Sequence, residues 1–99
     1  MSPFKLIEQS KGIYSVEGDL TFSSLNKIGA FDFLNSAKTI TIDMKKIDLA
    51  DSAGLALVVE WIKKSIQFNT TLTLKNFPHQ LLTLAKLTHL DLNDYLADI

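Results

Sequence analysis

The sequence predicts an α/β domain in which a small mixed sheet of four to five strands carries helices mainly on one face. Three observations carry this. Thr39 to Met44 alternates threonine with isoleucine in the two-residue period of a half-buried strand. Ser52 to Phe68 is a longer apolar stretch with helical period. Between such segments the loops are short, so strand–helix–strand units pair in parallel through right-handed crossovers.

Each element follows in order. Phe4 to Gln9 alternates weakly as a strand, Lys11-Gly12 is a turn signal, and Ile13 to Glu17 returns as the second arm of a hairpin. Gly18-Asp19 is expected to end that arm. Thr21 to Asn35 reads as a helix: Phe22, Leu25, Ile28, Phe31 and Leu34 recur every three residues, and Thr21 or Ser23 caps the start. Phe33 falls off that stripe, so Phe31 and Phe33 are minor candidates for a contact surface, with core packing the stronger reading. The strand over Thr39 to Met44 leads into the helix over Ser52 to Phe68, whose core stripe is read as Leu55, Val58, Ile62 and Ile66, with Val59 beside it. Thr71 to Lys75 is another strand. Pro78 opens a helix where a missing N–H costs nothing, and Leu81, Leu84, Ala85 and Thr88 form its face. Leu92 to Ala97 is read as a last short helix begun by Asp91.

The chain of 99 residues fits one domain spanning 1–99 with a modest core. Its longest apolar run, Leu55 to Val59, is far too short to span a bilayer, and Met1 to Lys11 lacks the layout of a signal peptide. With no cysteine, the chain has neither a disulfide framework nor a thiolate metal site. The expected setting is the cytoplasm. The formal charge is −1, and all ten basic residues are lysine. Lacking both a basic excess and arginine forks, the sequence argues against nucleic-acid binding.

The densest polar punctuation falls in IDLADSAGLALVVEW, residues 47 to 61. Here a strand gives way to a helix, and Asp51 and Ser52 stand at the first turn. Two readings stay open. Asp and Ser are favoured helix caps, worth about 1 kcal/mol, and a cap needs no further purpose. The same free N–H groups and positive dipole end also suit an exposed hydroxyl that receives a phosphate or meets a partner. Gly54, without a side chain, lets a neighbouring backbone or a partner approach. Leu57 and Trp61 lie off the predicted core stripe. Trp is enriched at interface hot spots, while the edge of the protein's own core is an equal alternative for it.

Other chemistry is poorly served. The four glycines are isolated and no G-K-[ST] occurs, so no nucleotide-phosphate loop is present. His79 and His89 lack acidic ligands at short spacing, and nothing places either as a base for Ser52. Asp43, Asp48 and Asp51 could gather around magnesium at the C-terminal end of the strand, a minor alternative. The favoured reading has no catalytic residue, no cofactor and no metal.

The segment IDLADSAGLALVVEWIK resembles the signature of the STAS domain, the family of anti-sigma factor antagonists. In that family an Asp-Ser or Asp-Thr pair, followed by a small residue and glycine, begins the second helix after a central strand. The resemblance extends over nearly the whole order of elements. It implies that Ser52 is the phosphorylatable or partner-contact position, shaped by Asp51, Ala53 and Gly54. A second segment, TLTLKNFPHQLLTLAKLTHLDL, residues 71 to 92, is similar to the MlaB-like branch of that family. This branch comprises the small cytoplasmic subunits of the Mla phospholipid-transport ABC system of Gram-negative bacteria. The Leu84 to Leu87 run and Ala53 of the D-S-A-G motif carry that likeness, whereas Bacillus-type antagonists more often have a second hydroxyl at the position of Ala53.

The branch implies a non-enzymatic subunit that binds the transporter's ATPase and supports it in maintaining outer-membrane lipid asymmetry. Such a subunit would reach the inner membrane only through its partner complex, without inserting. The alternative implied by the wider family is an anti-sigma factor antagonist, partnered by an anti-sigma factor kinase and regulated by phosphorylation of Ser52.

Overall fold

Alternation along the central strand decides which face of the sheet is covered. Ile40, Ile42 and Met44 are buried on one side, while Thr39, Thr41 and Asp43 face the other. The computed structural model describes residues 4–20 and 32–96. It contains strands β1 (Lys5–Ser10), β2 (Ile13–Leu20), β3 (Thr39–Ala50) and β4 (Thr71–Lys75), with helices α1 (Ser52–Gln67) and α2 (His79–Leu87). The strands lie side by side in chain order. β1 is antiparallel to β2, and β3 is parallel to both β2 and β4. The sheet is therefore mixed. Val16 and Leu20 of β2 and Leu72 and Leu74 of β4 join the covered face, against Leu55, Val58 and Trp61 of α1 and Leu81 and Ala85 of α2.

Several boundaries differ from expectation, each for a physical reason. β2 does not stop at Gly18-Asp19. Gly18 adopts φ 90, and a register shift between Gly18 and Leu20 absorbs the irregularity. Glycine here bends the strand without ending it. β3 runs six residues beyond Met44, because Lys46, Ile47 and Ala50 still pair with Glu17, Gly18 and Leu20. Inter-strand pairing overrides the polar composition of that stretch.

Of the helix expected over Thr21 to Asn35, residues 21–31, and with them Phe31, lie outside the described residues. Asp32–Asn35 form one 3-10 turn. The last helix is not found: Leu92 to Tyr95 form a turn, and Leu96 makes a parallel bridge to Leu74. Asp91 does serve as a local acceptor, from the Asn93 N–H at 2.9 Å, but it initiates that turn and no helix. The tail is held by the Leu74 N–H donating to the Tyr95 carbonyl at 2.6 Å, which lays it along the outer edge of β4.

The buried stripe of α1 is also rotated from the predicted one. Gly54, Leu57, Val58, Trp61 and Ser65 are buried with Leu55, while Ile66 is 62% exposed and Ile62 only partly covered. Two small residues in the true stripe, Gly54 and Ser65, carry little apolar signal, so the apolar pattern alone points the helix the wrong way. Leu57 (8% exposed) and Trp61 (2%) are consequently core residues, not surface contacts. The Trp61 ring meets the edge of Phe33 at 6.3 Å and 90°, and Phe33 meets Tyr14 at 5.0 Å and 61°. Offset and edge-on geometries of this kind add modestly to the burial term. The Tyr14 hydroxyl also pairs with Ser36 Oγ at 3.1 Å.

Candidate functional site

Only Asp51 separates the end of β3 from the start of α1. Its backbone is extended (φ −133, ψ −167), and its Oδ1 accepts the Ala53 N–H at 2.9 Å. Its carbonyl accepts from the Gly54 and Leu55 N–H groups at 3.0 and 3.2 Å. Asp51 is therefore the cap, and Ser52 is the first helical residue. The Asp51 N–H donates to the Leu20 carbonyl at 3.0 Å, which ties the cap to the end of β2.

Gly54 completes the anchorage. A Cβ at this position would stand 2.6 Å from the Leu20 carbonyl oxygen and 2.8 Å from Leu20 Cβ. The close approach that the sequence assigns to Gly54 is thus made by the protein's own second strand. Gly54 lets the helix sit down on the sheet.

Relieved of capping, Ser52 is exposed at the start of α1. No acidic residue lies within the first turn of the helix, and the Asp51 side chain caps its positive dipole end. Ala56 and Lys63 are exposed, and Val59 half-buried, at the helical spacings that continue the Ser52 face. Leu49, three residues before Ser52, is 55% exposed. The hydroxyl is thus followed one turn along the helix by the short, exposed side chain of Ala56. Ala53 is half-buried beside Ser52. The sequence reading did not single out Leu49 or Ala56. Leu49 could have been found only by extending β3 to Ala50, and Ala56 only by placing Gly54 in the core stripe.

The three aspartates do not assemble. Asp43 stands on the uncovered face of the sheet, where its Oδ1 accepts from Asn76 Nδ2 at 2.9 Å and from the Lys45 N–H at 3.0 Å. Among the described residues no trio of His, Cys, Asp or Glu side chains is close enough to hold a metal ion. Burial raises the Asp43 carboxyl pKa, but the bonds from Asn76 and Lys45, with the charges of Lys45 and Lys75, outweigh it and leave the group below its ordinary value of 3.8. His79 and His89 lie at opposite ends of α2. His89, at φ 58, ends the helix with its backbone N–H on the Lys86 carbonyl.

A four-stranded mixed sheet with helices on one face and a capped Asp-Ser pair opening α1 defines a class, and comparison with known proteins gives it a family. The STAS domain model matches residues 5–96, and the chain belongs to that family. Solved structures share the fold. The anti-sigma factor antagonist SpoIIAA in its unphosphorylated form is 19% identical, with 97% of this chain and 88% of that one covered and a TM-score of 0.64. The Bacillus cell fate determinant SpoIIAA in its phosphorylated form is 15% identical, over 97% and 90%, with a TM-score of 0.68. A sulfate transporter family protein from Wolinella succinogenes is 16% identical, over 93% and 80%, with a TM-score of 0.63. No curated protein matches the chain. Among the described residues no helix is long and apolar enough to cross a membrane.

Proposed function

We propose that this chain is a non-enzymatic protein-binding subunit whose contact is the face around Ser52, and that its partner is the cytoplasmic ATPase of an Mla-type phospholipid-transport ABC transporter. The single observation behind this reading is the exposure of Ser52 at the anchored start of α1, with exposed Ala56 one turn further along the helix. Asp51 and Gly54 hold the hydroxyl in place, and Leu57 and Trp61 support the helix from beneath. In this MlaB-like role the subunit supports the ATPase, serves outer-membrane lipid asymmetry, and reaches the inner membrane through its partner from the cytoplasm. The test is co-purification of the ATPase with wild type and with Ser52→Glu. The charged variant should keep the fold and lose at least about tenfold in affinity, because a carboxylate enters a contact fitted to a small hydroxyl. Undiminished binding by Ser52→Glu overturns the contact.

A second reading is supported by a separate observation. An exposed hydroxyl at the start of a 16-residue helix without acidic residues in its first turn suits a phosphate. On that reading the chain is an anti-sigma factor antagonist, and a serine kinase modifies Ser52. Incubation with the kinase should add one phosphate to wild type and none to Ser52→Ala, as read by intact mass.

A further inference from the structure

The sheet face opposite the helices is built unevenly. Three of its strands are parallel neighbours, an arrangement usually covered on both sides. Here the second face carries a groove of about 260 Å³ lined by Gln9, Ile13, Ser15, Asp43, Lys45 and Lys46. That volume lies just below the usual small-molecule range of about 300–1,000 Å³, which restricts any occupant to a small one.

Two β-bulges flank the groove. In β1, Glu8 pairs with Tyr14 and Ser10 with Ile13, so Gln9 is the extra residue. In β3, Asp43 pairs with Ser15 and Lys46 with Glu17, so two β3 residues stand where β2 has one. Bulges re-aim side chains and recur beside functional sites. The second one lets consecutive lysines, Lys45 and Lys46, line the same groove.

The floor of the groove points to a ligand. Ser15 is only 5% exposed, yet its hydroxyl has no hydrogen-bond partner among the described residues. No fully enclosed side-chain nitrogen or oxygen lacks a partner there, so the Ser15 oxygen keeps its remaining access through the groove it lines. At 5% exposure Ser15 offers that oxygen to little besides whatever enters the groove. Around it the charges are of both signs. Asp43 spends Oδ1 on Asn76 and the Lys45 N–H, leaving Oδ2 without a partner among the described residues. Lys45 Nζ makes no ion pair among those residues, and Lys46 Nζ has only Glu17 Oε2 at 3.5 Å on the rim.

We infer that this groove binds a small zwitterion, its acidic group on Lys45 and Lys46 with Ser15 as a further donor, and its ammonium on Asp43. A simple anion would meet Asp43 and Glu17 unfavourably, and a simple amine would meet the two lysines. The charges of Lys45 and Lys75 already favour the ionised Asp43, and Lys46 pairs with Glu17, so a molecule carrying both charges can add to each sign without leaving the other uncompensated. The shared chemistry covers amino acids and amine-bearing phosphate esters alike. The site is separate from the Ser52 face and does not depend on the function proposed for it.

The test is NMR titration of the ¹⁵N-labelled chain with two zwitterions, β-alanine and O-phosphoethanolamine, and with their single-charge counterparts propionate, ethyl phosphate and propylamine. Saturable shifts at Ser15, Asp43, Lys45 and Lys46 are expected with at least one zwitterion. The matching single-charge compounds should bind about tenfold more weakly or less, and the tighter zwitterion tells a carboxylate ligand from a phosphate one. Asp43→Asn keeps the shape and removes the charge, so it should erase the preference for the zwitterion over its matched anion. Should that variant lose its dispersed spectrum, Lys45→Met, at an exposed side chain, replaces it and should weaken both zwitterions several-fold. The inference is overturned if neither zwitterion gives saturable shifts, if a matched anion binds as tightly, if folded Asp43→Asn keeps the wild-type preference, or if Lys45→Met standing in for it binds the zwitterions at wild-type strength.

Discussion

The two α-helices of the described residues begin in different ways, although each follows a parallel strand. α1 starts one residue after β3, with the Asp51 side chain on the Ala53 N–H and Gly54 against Leu20. α2 starts after a loop of Asn76, Phe77 and Pro78, and its N-cap, Pro78, makes no side-chain cap bond. There the Leu81 and Leu82 N–H groups rest on the Pro78 carbonyl, each at 3.1 Å, and the fixed φ of proline does the rest. Of these two helices, α1 is the one where a side-chain cap and close approach to the sheet coincide, and there the exposed Ser52 stands.

Substitutions should break or sharpen this contrast by graded amounts. Gly54→Ala should be the most damaging: its Cβ would meet the backbone oxygen of Leu20 at 2.6 Å. A cost of about 2–3 kcal/mol in urea unfolding is expected, because a strand backbone cannot yield as a side-chain tip can. Next, Asp51→Ala removes the side-chain cap and should cost about 1 kcal/mol by the same measurement.

Asn76→Gly acts on the approach to α2. Asn76 sits at φ 55, which glycine accepts, so the substitution removes mainly the amide bond to Asp43. Because folding lowers the Asp43 pKa, its ionised form favours the folded state. That contribution is fully present above the ordinary value of 3.8 and is lost as pH falls through the lower folded value. Urea midpoints taken from neutral pH down to below 3.8 should therefore fall less steeply for the variant than for wild type. Smallest of all, Ser52→Ala and His79→Ala, at the first helical positions of α1 and α2, should each stay within about 0.5 kcal/mol of wild type. Neither side chain caps its helix. A cost near 1 kcal/mol for Ser52→Ala would mean that the hydroxyl shares the capping.

The same contrast explains what the sequence made legible. β4 over Thr71–Lys75 and α1 from Ser52 are plain in the residue pattern, because alternation and a strong cap act locally. Asp51 and Ser52 were visible for the same reason, and so was the need for a close approach at Gly54. What stayed hidden depends on partners far along the chain. The extension of β3 to Ala50 is imposed by β2. The roll of α1, which buries Leu57 and Trp61, is imposed by contact between Gly54 and Leu20. The turn after Leu92 resembles a helix start, because an aspartate can cap either, and its bridge to Leu74 decides the matter.

One consequence concerns signalling. With a single residue between a twelve-residue strand and the helix, and that residue bonded to the neighbouring strand, there is no slack for a hinge at Ser52. An event there cannot be transmitted by swinging a loop. On the function proposed above, a phosphate or a partner at Ser52 would act where it sits, as added charge or bulk met directly, and the domain would serve as a rigid plug whose fit is edited at one atom.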